Sequence, residues 1–425
     1  MERVMKGVKR LLGEVDIAGD KSVSHRAIMT NAIADGDAKI TNFLSGEDCI
    51  STLNIFRSLG VDISVFGKEV IVRGRGMRGL RAFNGVLNAG NSGTTTRLLS
   101  GILAPQSFES AIDGDDSLRL RPMKRVIEPL SLMGARIEAS GGNFLPLKIY
   151  GRRLHGIEYD MPMASAQVKS AIIYASLYAD SESVIAEKVK SRDHTEIMLK
   201  SMGADIEEKD NVITVRPIEK LVARDVRVPG DISSAAYFLV AGAIAPNSEI
   251  TVKNVGLNPT RAGIISVMRR MGADISVEEY ASGGERAGDI TVRSSELSGT
   301  VICGDEIPTL IDELPIIAVL ACMAKGVTVV KDAAELKVKE TDRIDTVYRM
   351  ITALGGKIEK TDDGFIIEGT GELSGARVES FKDHRIAMSA AVASLVASGE
   401  TVIADAECVD ISFPEFYNIL GGLHE

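Results

Sequence analysis

The sequence predicts a mixed α/β protein of two similar domains, each built from three copies of a β-α-β-α-β-β unit. Two observations carry that prediction. The first is a recurring helix end, in which Leu or Met precedes Gly, a small residue and a hairpin pattern. It reads Leu59-Gly60-Val61, Met133-Gly134-Ala135, Met202-Gly203-Ala204, Met271-Gly272-Ala273, Leu354-Gly355-Gly356 and Leu420-Gly421-Gly422. A glycine just past the last helical residue supplies the positive φ that ends a helix. The second observation is that the same elements precede each glycine in the same order, which marks a repeat architecture.

In chain order, a small, apolar helix with a polar start is expected at 24–34, 94–103, 166–177, 233–243, 314–324 and 384–397. Short β-branched strands follow at 39–42, 183–186, 249–252, 327–330 and 401–404. A second, amphipathic helix then leads to each glycine. The sixth copy stops at Gly422 with no hairpin, while 3–9 and 12–17 read as strands with no repeat of their own. The N-terminal strands are therefore expected to complete the last repeat. That makes one domain continuous, 19–228, and the other discontinuous, 1–18 plus 229–425. Two crossings, near Ala18-Gly19-Asp20 and Val228-Pro229-Gly230-Asp231, would form a two-stranded hinge.

Composition excludes several classes. The net charge of −10 disfavours a nucleic-acid coat or an anionic membrane surface as partner. Cys49, Cys303, Cys322 and Cys408 lie far apart with no ligand spacing, so no zinc site or other metal is expected. No apolar run reaches membrane-spanning length, and the N-terminal segment lacks the apolar stretch of a signal peptide. A cytoplasmic protein is expected.

Cations cluster at the helix starts. In Val338-Lys339-Glu340-Thr341-Asp342-Arg343, Thr341 is a candidate N-cap, and Lys339 and Arg343 are like charges four apart at a positive dipole end. On a plain surface helix that arrangement costs a few tenths of a kcal/mol, about what an i,i+4 pair is worth. A bound anion would remove the mismatch. Similar starts read Gly19-Asp20-Lys21-Ser22-Val23-Ser24-His25-Arg26, Gly90-Asn91-Ser92-Gly93-Thr94-Thr95-Thr96-Arg97 and Ser165-Ala166-Gln167-Val168-Lys169. Others are Ser191-Arg192-Asp193-His194 and Lys382-Asp383-His384-Arg385. Taken singly, each is an ordinary cap or a solvated cation, and His25, His155, His194 and His424 default to core or surface positions. Their recurrence at one end of equivalent helices points to phosphate and carboxylate ligands. Asp312-Glu313, before an apolar helix, is either a cap or a base; with Glu340 it offers acid/base groups in a site otherwise cationic.

Lys21-Ser22-x-Ser24-x-Arg26, Asn91-Ser92-Gly93-Thr94, Arg121-Pro122-Met123, Ser165-Ala166-Gln167, Val338 to Arg343 and Asp383-His384-Arg385 occur in the order of one known family. Across essentially the whole chain the sequence resembles the 5-enolpyruvylshikimate-3-phosphate synthases. The resemblance implies a fold of two domains, each an inside-out α/β barrel of three units, with the active site in the cleft between them. It implies transfer of the enolpyruvyl group of phosphoenolpyruvate to the 5-hydroxyl of shikimate 3-phosphate, with release of phosphate. On that resemblance Lys21, Ser22, Arg26, Ser165, Ala166, Gln167, Arg192, Asp312 and Lys339 would hold shikimate 3-phosphate. Lys21, Asn91, Gly93, Arg121, Gln167, Glu340, Arg343, His384 and Arg385 would hold phosphoenolpyruvate. Asp312 would be the base, Glu340 the acid, and Lys21 an assistant in charge and proton movement. No cofactor is implied, and a monomer is expected.

Three positions depart from the best-known pattern. Ala166 replaces the second of a pair of serines, Arg192 stands where many members carry lysine, and Ile411 replaces a common lysine. Gly93 is kept, so glyphosate is expected to compete with phosphoenolpyruvate. The rival readings are the UDP-N-acetylglucosamine enolpyruvyl transferases, which expect Lys-Asn where Lys21-Ser22 stands, and a non-catalytic anion-binding scaffold.

Overall fold

The computed structural model describes residues 1–282 and 284–423, so His424 lies outside the described residues. The chain divides into two compact units, Gly19–Pro229 with Ser282–Glu285, and Met1–Ala18 with Gly230–Ala281 and Arg286–Glu425. Each has its own apolar core.

The first unit contains α1 (Lys21–Ala32), α2 (Glu47–Ser58), α3 (Gly93–Leu103), the single turn α4 (Asp116–Arg119), α5 (Lys124–Leu132), α6 (Ala166–Ser176) and α7 (His194–Ser201). The second contains α8 (Ile232–Ile244), α9 (Gly263–Arg270), α10 (Leu314–Cys322), α11 (Arg343–Ala353), α12 (His384–Ser394) and α13 (Phe416–Gly422). The leading helix of each repeat is α1, α3, α6, α8, α10 or α12, and from its second turn onward its residues are almost all buried. α8 and α10, apolar on every side, belong in an interior, whereas α1 also buries the polar side chains of His25, Arg26 and Asn31. α3 packs on α6, and α10 on α12. Gly101 permits the first approach, because a Cβ there would lie 2.1 Å from the Ala171 carbonyl oxygen. Truncating a core residue such as Leu99 or Phe238 to Ala costs about 2–5 kcal/mol.

The sheets lie outside the helices and alternate exposed and buried residues, as in Phe144–Tyr150. In the second repeat Val86–Asn88 runs parallel to Glu109–Asp113, which pairs antiparallel with the hairpin Arg136–Ser140 and Phe144–Tyr150. Four other sheets share this plan. The five glycines Gly60, Gly134, Gly203, Gly272 and Gly355 have φ of 90°, 92°, 97°, 97° and 77°, as a C′ position requires. The sixth differs: Gly421 lies inside α13.

The N-terminal strands do not stay together. Arg3–Lys6 pairs with Glu400–Ala404 and fills the hairpin's place in the last repeat. Leu12–Asp16 instead runs parallel to Glu249–Gly256 and supplies the outer strand of the fourth repeat. Val226–Arg227 does the same for the first repeat, beside Asp37–Thr41. Each segment leading to a crossing thus fills the open edge of the first sheet in its own unit.

Candidate active site

In the first unit, α1 starts at Lys21 because Asp20 caps it, accepting the Val23 N–H at 2.9 Å. Lys21 pairs with Asp48 in the first turn of α2, and almost half of its side chain is exposed. Ser22 is half-buried. Arg26 turns inward. It is 3% exposed, and its nitrogens donate to Thr195 Oγ1 at 2.6 Å, the Ser22 carbonyl at 3.0 Å and Ser170 Oγ at 3.1 Å.

At α3 the cap is Ser92, whose Oγ accepts the Thr95 N–H at 3.1 Å. Gly93 leaves room for the two guanidinium groups beside it. A Cβ at this position would lie 2.8 Å from Arg97 Nη1 and 3.8 Å from Arg121 Nη1. Arg97 Nη1 donates to Gln167 Oε1 at 2.6 Å, and the Gln167 amide donates to Thr94 Oγ1 at 3.0 Å. Arg121 Nη2 donates to Asn91 Oδ1 at 2.6 Å, while the Asn91 amide donates to Asp115 at 2.7 Å. Asn91, Gly93, Arg121 and Gln167, which the sequence named, therefore come together. Arg97 lies among them, although the resemblance did not assign it. Its Nε has no hydrogen-bond partner. Burial, then Arg125 and Arg121, pull the guanidinium down to about 9, which still leaves it charged at neutral pH. A buried cation whose partner is a neutral amide is a ready anion site. The signal in the sequence was its place one turn into the helix from Gly93.

Ser165 caps α6, its Oγ accepting the Val168 N–H at 3.5 Å, and Ala166 is the first helical residue. Arg192 is half-buried before α7. Lys169 departs from the expectation for a helix-start cation: it is 1% exposed and bound to Glu187 and Glu196 inside the unit.

In the second unit the centre is Arg343, the first residue of α11, fully buried. Its Nε donates to Asp383 Oδ2 at 2.9 Å, its Nη2 to Glu340 Oε2 at 2.5 Å and its Nη1 to Asp312 Oδ1 at 3.4 Å. Two expectations need correction. The cap of α11 is Asp342, which accepts the Ile344 and Asp345 N–H groups, whereas the Thr341 hydroxyl donates to Asp383 at 3.0 Å. Lys339 follows the 3-10 turn Ala334–Val338 and shares no helix face with Arg343, so the i,i+4 repulsion does not apply. Asp312 joins the two cations instead, since Lys339 Nζ is 3.5 Å from its Oδ1.

Neither Asp312 nor Glu313 caps α10 through its side chain. Glu313 is buried, accepts from Ser233 Oγ and lies 3.8 Å from Arg385 Nη1; burial raises its pKa. Arg385 Nη1 donates to the Asp312 carbonyl at 3.1 Å. Asp383 caps α12, accepting the Arg385 N–H at 2.9 Å. Burial, then Arg385, pushes His384 down to about 4, so the ring is neutral at pH 7. Desolvation raises Glu340, but Arg343, His384 and Arg385 outweigh it and hold the carboxyl below its usual range. Ile411 is 72% exposed and brings no charge.

Arg97 and Arg121 with amide partners in one unit, and a guanidinium ringed by carboxylates in the other, fit the class of repeat-built transferases with anionic substrates. The profile of the family described as EPSP synthase (3-phosphoshikimate 1-carboxyvinyltransferase) matches residues 5–420, and the chain belongs to that family. It is 55% identical over 418 residues to a 3-phosphoshikimate 1-carboxyvinyltransferase of Thermoanaerobacter sp. (strain X514), covering 98% of this chain and 99% of that protein. The corresponding Bacillus thuringiensis (strain Al Hakam) protein is 52% identical over 422 residues, covering 99% and 98%. A solved EPSP synthase from Acinetobacter baumannii superposes with a TM-score of 0.94 at 44% identity, covering 100% of this chain and 98% of that one.

Proposed function

We propose that the chain transfers the enolpyruvyl group of phosphoenolpyruvate to the 5-hydroxyl of shikimate 3-phosphate, a step of aromatic amino acid biosynthesis. The enzyme acts in the cytoplasm. The observation that carries the residue roles is the convergence of Asp312 and Glu340 on Arg343, beside Lys339 and Arg385.

The reaction needs a base for the hydroxyl and an acid for the methylene carbon. Asp312 takes the 5-hydroxyl proton as that oxygen bonds C2 of phosphoenolpyruvate, and Glu340 protonates C3, leaving a methyl group on a tetrahedral carbon. Elimination reverses the second transfer: C3 returns a proton, the bond to the phosphate oxygen breaks, and the double bond reforms with free phosphate. Lys21, Arg97, Arg121 and Gln167 hold phosphate oxygens, and Arg343 and Arg385 hold the carboxylate of phosphoenolpyruvate. Without substrate Glu340 is ionised, because Arg343 and Arg385 favour its charge. A substrate carboxylate on Arg343 and Arg385 competes for those charges, which raises the Glu340 pKa toward that of a working acid. Ser22, Ser165 and Arg192 hold shikimate 3-phosphate with Lys339.

Phosphate release from phosphoenolpyruvate tests this reading with each acceptor supplied in turn. Release with shikimate 3-phosphate is expected. Release with UDP-N-acetylglucosamine alone would overturn it.

A further inference from the structure

α6 begins with Ser165, Ala166 and Gln167, and Lys169 follows in its first turn. A lysine there meets the positive end of the helix dipole, an unfavourable place unless anions surround it. The side chain turns into the interior of the first unit. Its Nζ donates to Glu187 Oε2 at 2.7 Å and to the Ser191 carbonyl at 3.3 Å, and lies 2.8 Å from Glu196 Oε1. Both carboxylates are as buried as the ammonium.

These partners belong to one excursion of the chain. Glu187 directly follows the strand Ser183–Ala186, Ser191 lies in the loop, and Glu196 is in the first turn of α7. A single ammonium thus ties both ends of the 187–196 segment to α6. Arg26 of α1 reinforces the tie through Thr195 and Ser170, whose hydroxyl oxygens are 2.6 Å apart. The Ser191 N–H donates to Glu187 Oε2 at 3.4 Å.

Stability alone does not account for this cluster. Attraction between buried ions at best offsets their desolvation, and a well-packed apolar trio would serve as well. Glu187 Oε1 and Glu196 Oε2 also lack hydrogen-bond partners. What the cluster does provide is geometry, because the segment it holds carries Arg192 and the helix it holds carries Ser165 and Gln167.

We propose that Lys169 is a positioning residue for the acceptor substrate. It fixes Arg192 relative to Ser165, so that the phosphate of shikimate 3-phosphate meets donors already in place. This rests on the reading of Arg192 and Ser165 as contacts of that phosphate.

Steady-state kinetics of the full chain test it with Lys169→Met, Lys169→Arg, Arg192→Ala and the Lys169→Met/Arg192→Ala double variant. Lys169→Met is expected to raise KM for shikimate 3-phosphate about 10- to 100-fold, the scale of a misplaced binding group. The phosphoenolpyruvate KM and kcat are expected to hold within about twofold, and Lys169→Arg to recover most of the loss. In the Arg192→Ala background Lys169→Met is expected to add less than about twofold, because it acts through Arg192. Should Lys169→Met fold poorly, Glu187→Gln keeps the side-chain shape, and its smaller KM rise is expected to show the same non-additivity. An unchanged KM in Lys169→Met overturns the proposal, as does an effect that multiplies fully with that of Arg192→Ala. An unaltered KM in Arg192→Ala alone overturns the assignment of Arg192 itself, a separate failure.

Discussion

Around Gly93 in the first unit, the guanidinium of Arg97 is met by the amide of Gln167, and that of Arg121 by the amide of Asn91. Around Arg343 in the second unit the partners are three carboxylates, Asp312, Glu340 and Asp383. Neutral partners orient a cation and leave its charge for a ligand, whereas carboxylates neutralise it and can carry protons themselves. The first arrangement suits holding an anion, and the second suits chemistry. Substitutions in the two regions separate those roles.

The largest effect belongs to the carboxylates. Glu340→Gln and Asp312→Asn are each expected to lower kcat by about 10²–10⁴-fold, the usual contribution of a positioned acid or base, with either substrate KM changed little. Phosphate-release kinetics read this directly. Near-normal turnover in Glu340→Gln means that another group is the acid.

The next contrast sets one arginine against the other. Arg343→Lys removes the fork that holds Asp383 and Glu340 together, and leaves Asp383 buried without a full partner. It is expected to lower kcat/KM for phosphoenolpyruvate and also to destabilise the unit, by up to the roughly 3–5 kcal/mol that breaking a buried pair costs. Arg121→Lys is expected to weaken phosphoenolpyruvate binding about tenfold, one charge-assisted hydrogen bond, with the Tm hardly moved. Equal Tm losses in the two variants would erase that distinction between the two arginines.

Gly93→Ala places a methyl group against Arg97 Nη1, the far end of a flexible side chain. The fold should tolerate it, while the phosphoenolpyruvate KM and the inhibition constant of glyphosate both rise. Inhibition kinetics against phosphoenolpyruvate check both, and the absence of competition by glyphosate in the parent chain would remove that ligand from the site.

The smallest effect is on acid stability. Burial raises the Asp383 carboxyl, but Arg343, His384 and the Arg385 N–H outweigh it and hold its pKa below the ordinary 3.8. A depressed carboxyl contributes stability that is present above its unfolded pKa and lost as pH falls through the folded one. Asp383→Asn should therefore show a shallower loss of stability below about pH 4 in denaturant titrations. An unchanged slope would show that the Arg343 network carries no such linkage.

The repeat was legible because its marks are local. A C′ glycine such as Gly60 and a helix apolar on all sides such as α8 need only their own neighbours to be recognised. The cluster of Asn91, Gly93, Arg121 and Gln167 was legible through motif resemblance, and Arg97 was passed over because its one local mark, a place one turn after Gly93, is shared by ordinary helix cations. Lys169 was read as a helix-start cation suited to a ligand, and the fold turned it inward onto Glu187 and Glu196.

What the sequence determined by itself is therefore the unit, its six copies, and which helix starts carry charge, because backbone propensity and side-chain periodicity act over a few residues. Tertiary structure alone decided that Leu12–Asp16 and Val226–Arg227 each complete the first sheet of their unit, since strand pairing is chosen among distant segments with similar patterns. It also decided which cations are met by carboxylates and which by neutral groups. Lys169 is spent on Glu187 and Glu196, and Arg97 keeps its charge uncompensated, because the carboxylates that settle the matter arrive from other elements of the fold.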